Sequence, residues 1–538
     1  MNYANHYNRT KTPQTEQADA RQSKNNAGGY SFTVDHWKRL ERFLILGSEG
    51  GTYYVTERNL TRANAKAVDQ CLGEDPARAL GTIATISQAG RAPKNDAAVF
   101  ALALAASHAN PLTRSLANGA VNSVCRTATH LFQFIEAVDK MRGWGRGLRR
   151  AVAGWYAARD GKALMYQAAK YRNRNGWSHR DALRLSHWQP STLELQAVAR
   201  WIVGAPTGER SVKRGERIKI GYQAGPLPEY LQAFDELQAA DTDARVTALI
   251  EAHHFTHEMI PSQWLKSTGV WEALLPTMPT TALLRNLGRL TALGMLKDLG
   301  THVPGVAAKL TNGEALKKAR IHPLAVLLAL KTYEQGHGEK GKLSWTPVRA
   351  IVDALDAAFY ASFDAIEPTG KNILLALDVS GSMDATINGS SLSSREATAA
   401  MAMAIARTEQ NWLCFGFSSR FVPLNISPRQ RLDDVVRTIS SLPFESTDCS
   451  LPMTHALQHS LGVDVFQIWT DNETYAGKQH PHEALVAYRR QSGRAAKLAV
   501  VATASTEFTI ADPTDAGMMD VAGFDASVPQ VLADFANE

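Results

Sequence analysis

Cysteine is scarce: four in 538 residues, at Cys71, Cys125, Cys414 and Cys449, with no CxxC pair. That excludes a disulfide-stapled secreted scaffold, and a reduced, cytoplasmic compartment is expected. Long apolar runs are also missing. The longest, AAVFALALAA (Ala97 to Ala106), is half of the about 20 residues a membrane span needs, so no membrane association is expected. The N-terminal stretch, residues 1–29, has no apolar core. It reads as a flexible polar tail, not a secretory signal.

What remains is ordinary globular composition, 44% hydrophobic and 20% charged, over a length that allows several domains. The net charge of +6 hides an asymmetry. From Glu367 onward there are 12 Lys and Arg against 20 Asp and Glu; the first 366 residues hold 46 against 32. A basic half favours polyanions such as nucleic acid, with a merely solvated basic surface as the alternative.

The pattern changes where the charge does. In residues 30–365, segments such as DAAVFALALAASHA and HPLAVLLALKTYEQG carry apolar residues at three- and four-residue spacing, broken by Gly, Pro and Asn. Strand-like alternation is almost absent there, and the succession of helices suggests an α-solenoid, though without a crisp repeat. Over residues 366–538, four short strand candidates, NILLAL, NWLCFGF, VFQIWT and KLAVVAT, alternate with helical stretches at Ser394–Thr408, Arg429–Ser440, Leu451–Leu461 and His482–Arg490. This alternation predicts a doubly wound parallel sheet covered on both faces. The fold class is therefore multidomain, α plus α/β.

In such sheets ligands bind beyond the carboxyl ends of the strands. Asp378, in LDVSGSM, ends the first strand, and Asp471, in WTDNET, ends another. Ser380 and Ser382 add hydroxyls, Gly381 is expected to permit the turn that aims them, and Thr447 follows in TDCSLPM. Oxygen donors of this kind suit a hard divalent cation, Mg²⁺ first, with a position left open. Asp378, Ser380, Ser382, Thr447 and Asp471 together resemble the metal-ion-dependent adhesion site of von Willebrand factor A domains. In that resemblance the open position takes a partner's carboxylate. Glu473 and Asp448 read as surface charges first, with support of the ligands from behind as the alternative, and no His or Lys is placed as a general base.

The densest basic segment runs from Lys140 to Arg184, with 12 Lys and Arg against Asp160 and Asp181. Trp144, Trp155, Tyr156, Tyr166, Tyr171 and Trp177 are interleaved with it. Cations contact phosphates and planar groups stack on unpaired bases, although most of these aromatics are expected in the core. On a helix, Lys170 and Arg174 would share a face. Three other features weigh less. GSEGGTYY reads as a turn before it reads as a phosphate cradle. His253 and His257 lack a third zinc ligand. The cysteines read as buried, with Cys449 the most open to exposure.

FLILGSEGGTYYV, VCRTATHLFQFIE, RNGWSHRDALRLSH, MPTTALLRNLGRLT and TDCSLPM with WTDNETYAG are similar to blocks of the Ro 60 kDa autoantigen family. Bacterial members are called Ro sixty-related proteins. The resemblance extends from about residue 30 to the C-terminus. It implies a TROVE module, a ring of HEAT-like helical repeats closed by a von Willebrand A domain. It also implies a monomeric, non-catalytic RNA-binding scaffold. Y RNAs would bind a basic outer face, and single-stranded 3′ ends of misfolded RNAs would enter a central hole. The Y RNA contacts fall on Lys170, Arg174 and His187, and Arg172, Trp177, His179 and Arg180 in the same block are grouped with them. Structured noncoding RNA, rRNA precursors and, for bacterial members, polynucleotide phosphorylase or another 3′-to-5′ exoribonuclease are the implied partners. Two alternatives stand beside it: a metal-dependent ribonuclease using Asp378 and Asp471, and an assembly module docking partner carboxylates.

Overall fold

The computed structural model describes residues 11–47, 60–62, 65–204, 226–338, 342–363, 367–387, 391–442 and 445–538. Most of GSEGGTYY lies outside them. The chain divides into two compact units. One comprises Leu72–Gln88 and Ala98–Leu296; the other comprises Met1–Cys71, Ala89–Ala97 and Lys297–Glu538. The second includes the N-terminal strands β1 (Gln22–Lys24) and β2 (Tyr30–Thr33) and helix α1 (His36–Leu46).

The first unit is helical, as its apolar spacing predicts. Its basic part runs through α2 (Ala128–Met141), α3 (Arg146–Ala157) and α4 (Gly161–Lys170). Each start is legible: Thr127 caps α2 by accepting from His130 N–H, and Asp160 caps α4 by accepting from Ala163 N–H. In α3, Leu148, Ala151, Val152, Trp155 and Tyr156 are buried at helical spacing, which leaves Arg146, Arg149 and Arg150 exposed. Burying side chains of that size contributes roughly 1.5–3 kcal/mol each, so the apolar stripe sets which way the arginines face.

The expected helix through Lys170 and Arg174 is not there. α4 stops at Lys170, and a hairpin follows, β3 (Asn173–Arg174) antiparallel to β4 (Trp177–Ser178). Its two-residue turn, Asn175–Gly176, has φ values of 52° and 75°. Asn-Gly is the pair that tolerates positive φ at both positions of a tight hairpin turn. Ser178 then caps α5 (His179–Ser186) through a capping box with Asp181.

The C-terminal part of the second unit is a six-stranded sheet in the order β11–β9–β8–β5–β6–β7. The strands are β5 (Ile373–Asp378), β6 (Trp412–Phe417), β7 (Phe421–Pro423), β8 (Val465–Thr470), β9 (Lys497–Ala502) and β11 (Met518–Ala522). All pairings are parallel except that of β7, an antiparallel edge. Every residue of β5 and β8 is buried, as a sheet covered on both faces requires. One face packs Leu374, Phe466, Ile468 and Val500 against Met453 and Tyr488 from α7 (Leu451–Gln458) and α8 (Pro481–Ser492). The other is covered by α6 (Ser394–Thr408) and α9 (Val528–Asn537).

The polar N-terminal stretch is not a free tail over residues 11–29. β1 pairs with β2, and β2 pairs with β10 (Phe508–Thr509), giving a small antiparallel sheet on the C-terminal domain. Its polar side chains are engaged: Gln14 and Gln22 are buried, and the His480 ring lies 2.8 Å from the Glu16 carbonyl and 3.2 Å from Gln22 Nε2.

Candidate cation centre and nucleic-acid interface

β5 and β8 are neighbours, with Leu377 opposite Trp469, so Asp378 and Thr470 end side by side. Chain connections leave in opposite directions at this point of the sheet, which is where a crevice forms. Asp378 is fully buried; its Oδ1 accepts from Ser380 N–H at 2.9 Å and its Oδ2 from the Thr470 hydroxyl at 2.6 Å. The Ser380 and Ser382 hydroxyls lie 3.1 Å apart. Asp471 Oδ1 accepts from Glu473 N–H at 3.0 Å, while its buried Oδ2 has no hydrogen-bond partner among the described residues. Thr447 is buried beside this loop, its carbonyl accepting from the N–H groups of Tyr475 and Ala476.

Burial and the Asp471 charge push the Asp378 carboxyl above the usual range, and burial pushes Asp471 upward as well. The buried guanidinium of Arg395 donates instead to the carbonyls of Val379 and Ser380, bracing the Asp-x-Ser-x-Ser turn from behind. Two buried carboxylates, one of them with an unpartnered oxygen, and three hydroxyl side chains form a donor set that fits a hard divalent cation.

Three expectations about this region change. Gly381 has no positive φ, and a Cβ there would meet nothing, so the turn does not depend on glycine. Glu473 and Asp448 are not surface charges: Glu473 is fully buried, and burial with the neighbouring Asp471 charge pushes its carboxyl to about 7. Asp448 is largely buried and accepts from Gln14 Nε2 and from the Ser450 hydroxyl. Cys449 is buried like the other three cysteines.

In the helical unit, ten of the twelve basic residues between Lys140 and Arg184 are exposed. Arg172, Arg174 and Arg180 belong to this outward set, just before the hairpin, on it and at the start of α5, and His187, just past the end of α5, is exposed as well. The half-buried rings of Trp144 and Trp177 lie 5.7 Å apart, joining the start of α3 to the hairpin. Trp155 and Tyr156 are core residues.

A TROVE domain model matches residues 23–332, and a Ro60 vWA domain model matches residues 372–536. The chain belongs to the Ro60 family. It is 40% identical to RNA-binding protein RO60 of Deinococcus radiodurans over 97% of each chain. It is also 34% identical to RNA-binding protein RO60 of Caenorhabditis elegans, over 97% of this chain and 91% of that one. A crystal structure of the Deinococcus radiodurans Ro protein superposes with a TM-score of 0.68 at 37% identity, covering 94% of this chain and 99% of that one.

Against the Ro60-family expectations the structure sorts the seven RNA residues unevenly. His179 is 3% exposed; its ring lies 2.7 Å from the Tyr156 hydroxyl and 3.3 Å from the Gln167 carbonyl. It is a core residue, not part of the outward face, and burial pushes its pKa down to about 4. The Lys170 side chain is 11% exposed and lies 3.1 Å from the Tyr166 hydroxyl and 3.4 Å from Glu258. Arg172, Arg174, Arg180 and His187 remain outward, with Trp177 half-buried beside them. His257 pairs with Glu258 at 3.0 Å, His253 packs on Phe255, and no cluster of three His, Cys, Asp or Glu suited to a metal occurs among the described residues. No helix among the described residues is long and apolar enough to cross a membrane.

Missed from sequence were Thr470 and Asn472. Thr470 orients Asp378. Asn472, at φ 67°, turns the chain after Asp471 and accepts from Ile510 N–H. An Asn directly after a strand-ending Asp is a left-handed turn signal that could have exposed the second.

Proposed function

We propose that this chain is a non-catalytic RNA-binding scaffold acting in noncoding-RNA stability and RNA quality control in the cytoplasm. The observation that carries the reading is the outward basic set on α3, the hairpin and α5: Arg146, Arg149, Arg150, Arg172, Arg174, Arg180 and Arg184. Arginines on rigid elements contact phosphates, and Trp177 with Trp144 offers planar groups at the same place. Small Y RNAs are the proposed ligands of this face. Single-stranded 3′ ends of misfolded RNAs, including rRNA precursors, are the proposed second class. In a bacterial host a 3′-to-5′ exoribonuclease such as polynucleotide phosphorylase would degrade or trim the cargo. The scaffold itself acts as a monomer.

The cation centre serves recruitment in this reading. Asp378, Ser380, Ser382, Thr447 and Asp471 would hold Mg²⁺ or a similar divalent ion, which supplies a coordination position for a partner carboxylate. Sequencing the RNA that co-purifies with the protein tests the proposal and names the cargo. Recovery of discrete small structured RNAs is expected, and labelled RNA incubated with protein and Mg²⁺ should stay intact. Cleavage of that RNA, or a preparation that binds no structured RNA, would overturn it.

A further inference from the structure

The N-terminal segment does more than cover the C-terminal domain. Thr12 reaches Glu483, with N–H and hydroxyl each 3.0 Å from a carboxylate oxygen. Arg21 reaches Asp512 at 2.8 Å. Between these anchors, at Gln14, and beyond them, from Asn25 to Ser31, the chain runs over the two loops that carry the candidate cation ligands Thr447 and Asp471. Gln14 Nε2 donates to Asp448 Oδ1 at 2.8 Å, and the Thr474 hydroxyl donates to Gln14 Oε1. Asn25 Nδ2 donates to the Thr474 carbonyl at 2.8 Å, and the Ser31 hydroxyl to the Asn472 carbonyl at 3.4 Å. Gly29 sits so close that a Cβ there would stand 2.1 Å from the Thr474 oxygen.

One set of contacts leads directly to a ligand. Both carboxylate oxygens of buried Glu473 are taken by the segment: Asn26 Nδ2 donates to Oε1 at 2.6 Å, and Ala27 N–H to Oε2 at 3.1 Å. The backbone N–H of Glu473 in turn holds Asp471 Oδ1 at 3.0 Å, and this leaves Asp471 Oδ2 as the buried oxygen without a partner among the described residues. A carboxylate fixed through one oxygen presents the other in a defined direction. Hydrogen bonds to charged groups are the strong ones available for that purpose.

We infer that the N-terminal segment is an intramolecular brace of the cation centre, with Asn26 as a positioning residue that sets Asp471 through Glu473 and Gly29 as one that lets the segment seat on the Thr474 backbone. The inference rests on the cation reading proposed above. It makes cation affinity a property of residues some 445 positions away in sequence: Asn26 and Glu473 are 447 apart.

The test uses the full chain and Mn²⁺ as the probe, with free Mn²⁺ followed by electron paramagnetic resonance and melting followed separately in EDTA. Asn26→Ala and Gly29→Val are each expected to bind Mn²⁺ about tenfold more weakly than the parent, while Asp378→Ala loses binding. Asn26→Ala should melt in EDTA close to the parent. If Gly29→Val does not fold, Asn26→Ala, which removes one amide donor, decides alone. If Asp378→Ala abolishes binding while Asn26→Ala stays within about twofold of the parent, the brace is overturned and the cation centre stands. A lowered melting temperature in EDTA with unchanged Mn²⁺ affinity also overturns it, since that is the mark of a purely structural strap. If Asp378→Ala binds Mn²⁺ like the parent, the cation reading fails and this inference fails with it.

Discussion

Arg174 and Trp177 are register partners across the Asn175–Gly176 turn, so the tightest bend of the basic segment sets an exposed arginine opposite a half-buried tryptophan. Lys170, at the end of the preceding helix, instead has its ammonium beside Tyr166 and Glu258. The two cations should therefore behave differently. Arg174→Ala is expected to weaken binding of a co-purifying small RNA and to lower the slope of log affinity against log salt by about 1. Lys170→Ala should change that slope less, because Glu258 already shares its charge. Filter binding over a salt series separates the two, and equal slopes for both variants would contradict the assignment.

The buried imidazole of His179 makes a prediction with a sign. Burial holds its pKa at about 4 in the folded chain, against 6.5 ordinarily. The unfolded chain takes up a proton between those values that the native state refuses, so stability falls as pH drops through that window and is flat above it. From neutral pH to about pH 5 the parent should lose about 2 kcal/mol more than His179→Gln. Urea unfolding at both pH values measures it. His322, held near 4 by burial as well, contributes with the same sign and is retained in the variant.

Arg42 carries the next expectation. It projects from α1 with its side chain fully buried, pairs with Asp520 at 2.6 Å and donates to the Phe508 carbonyl at 2.8 Å. Arg42→Ala would take the cation from Asp520, leaving it the Thr509 hydroxyl, and the donor from the Phe508 and Thr506 carbonyls, a loss of about 3–5 kcal/mol for a buried pair. Arg42→Met, which keeps the stem, should cost less. Chemical denaturation of both variants gives the comparison.

A fourth prediction concerns Thr470. Its hydroxyl donates to Asp378 Oδ2 at 2.6 Å inside the sheet rim. Thr470→Val keeps the shape and removes the donor, so Mn²⁺ affinity should fall about tenfold, with Thr470→Ser restoring most of it. Titration calorimetry reads this directly.

Much of the sheet was legible because a strand buried on both faces is a continuous apolar run. ILLALD and VFQIWT are such runs, whereas β7 has three residues, β10 has two and β11 is interrupted by Asp520. The Asp-x-Ser-x-Ser candidate residues are readable by spacing, but their supports are not. Asn26 and Gln14 are polar residues in a polar stretch, and only partners more than 430 positions away give them meaning. His179 is a different failure. It shares the helical face of Ala182, Leu183 and Ser186, so the period of α5 already pointed inward, and the basic composition around it hid that. The hairpin hides in the same way, since Asn175–Gly176 stands among helical segments that Gly and Asn also separate.

The sheet that joins β2 to β10 also constrains when this protein can finish folding. Thr12 meets Glu483 across 471 positions of chain. At about 5–20 residues per second, a ribosome needs roughly half a minute to a minute and a half to make that interval. Throughout it, β1 and β2 have only each other to pair with, β2 lacks its partner β10, and the polar groups of Gln14, Gln22 and Asn25 that end up buried remain in water. The C-terminal domain can thus be completed only after nearly the whole polypeptide has emerged, by a closure of high contact order. Residues 11–33, made long before their partners, are among the last to find their places.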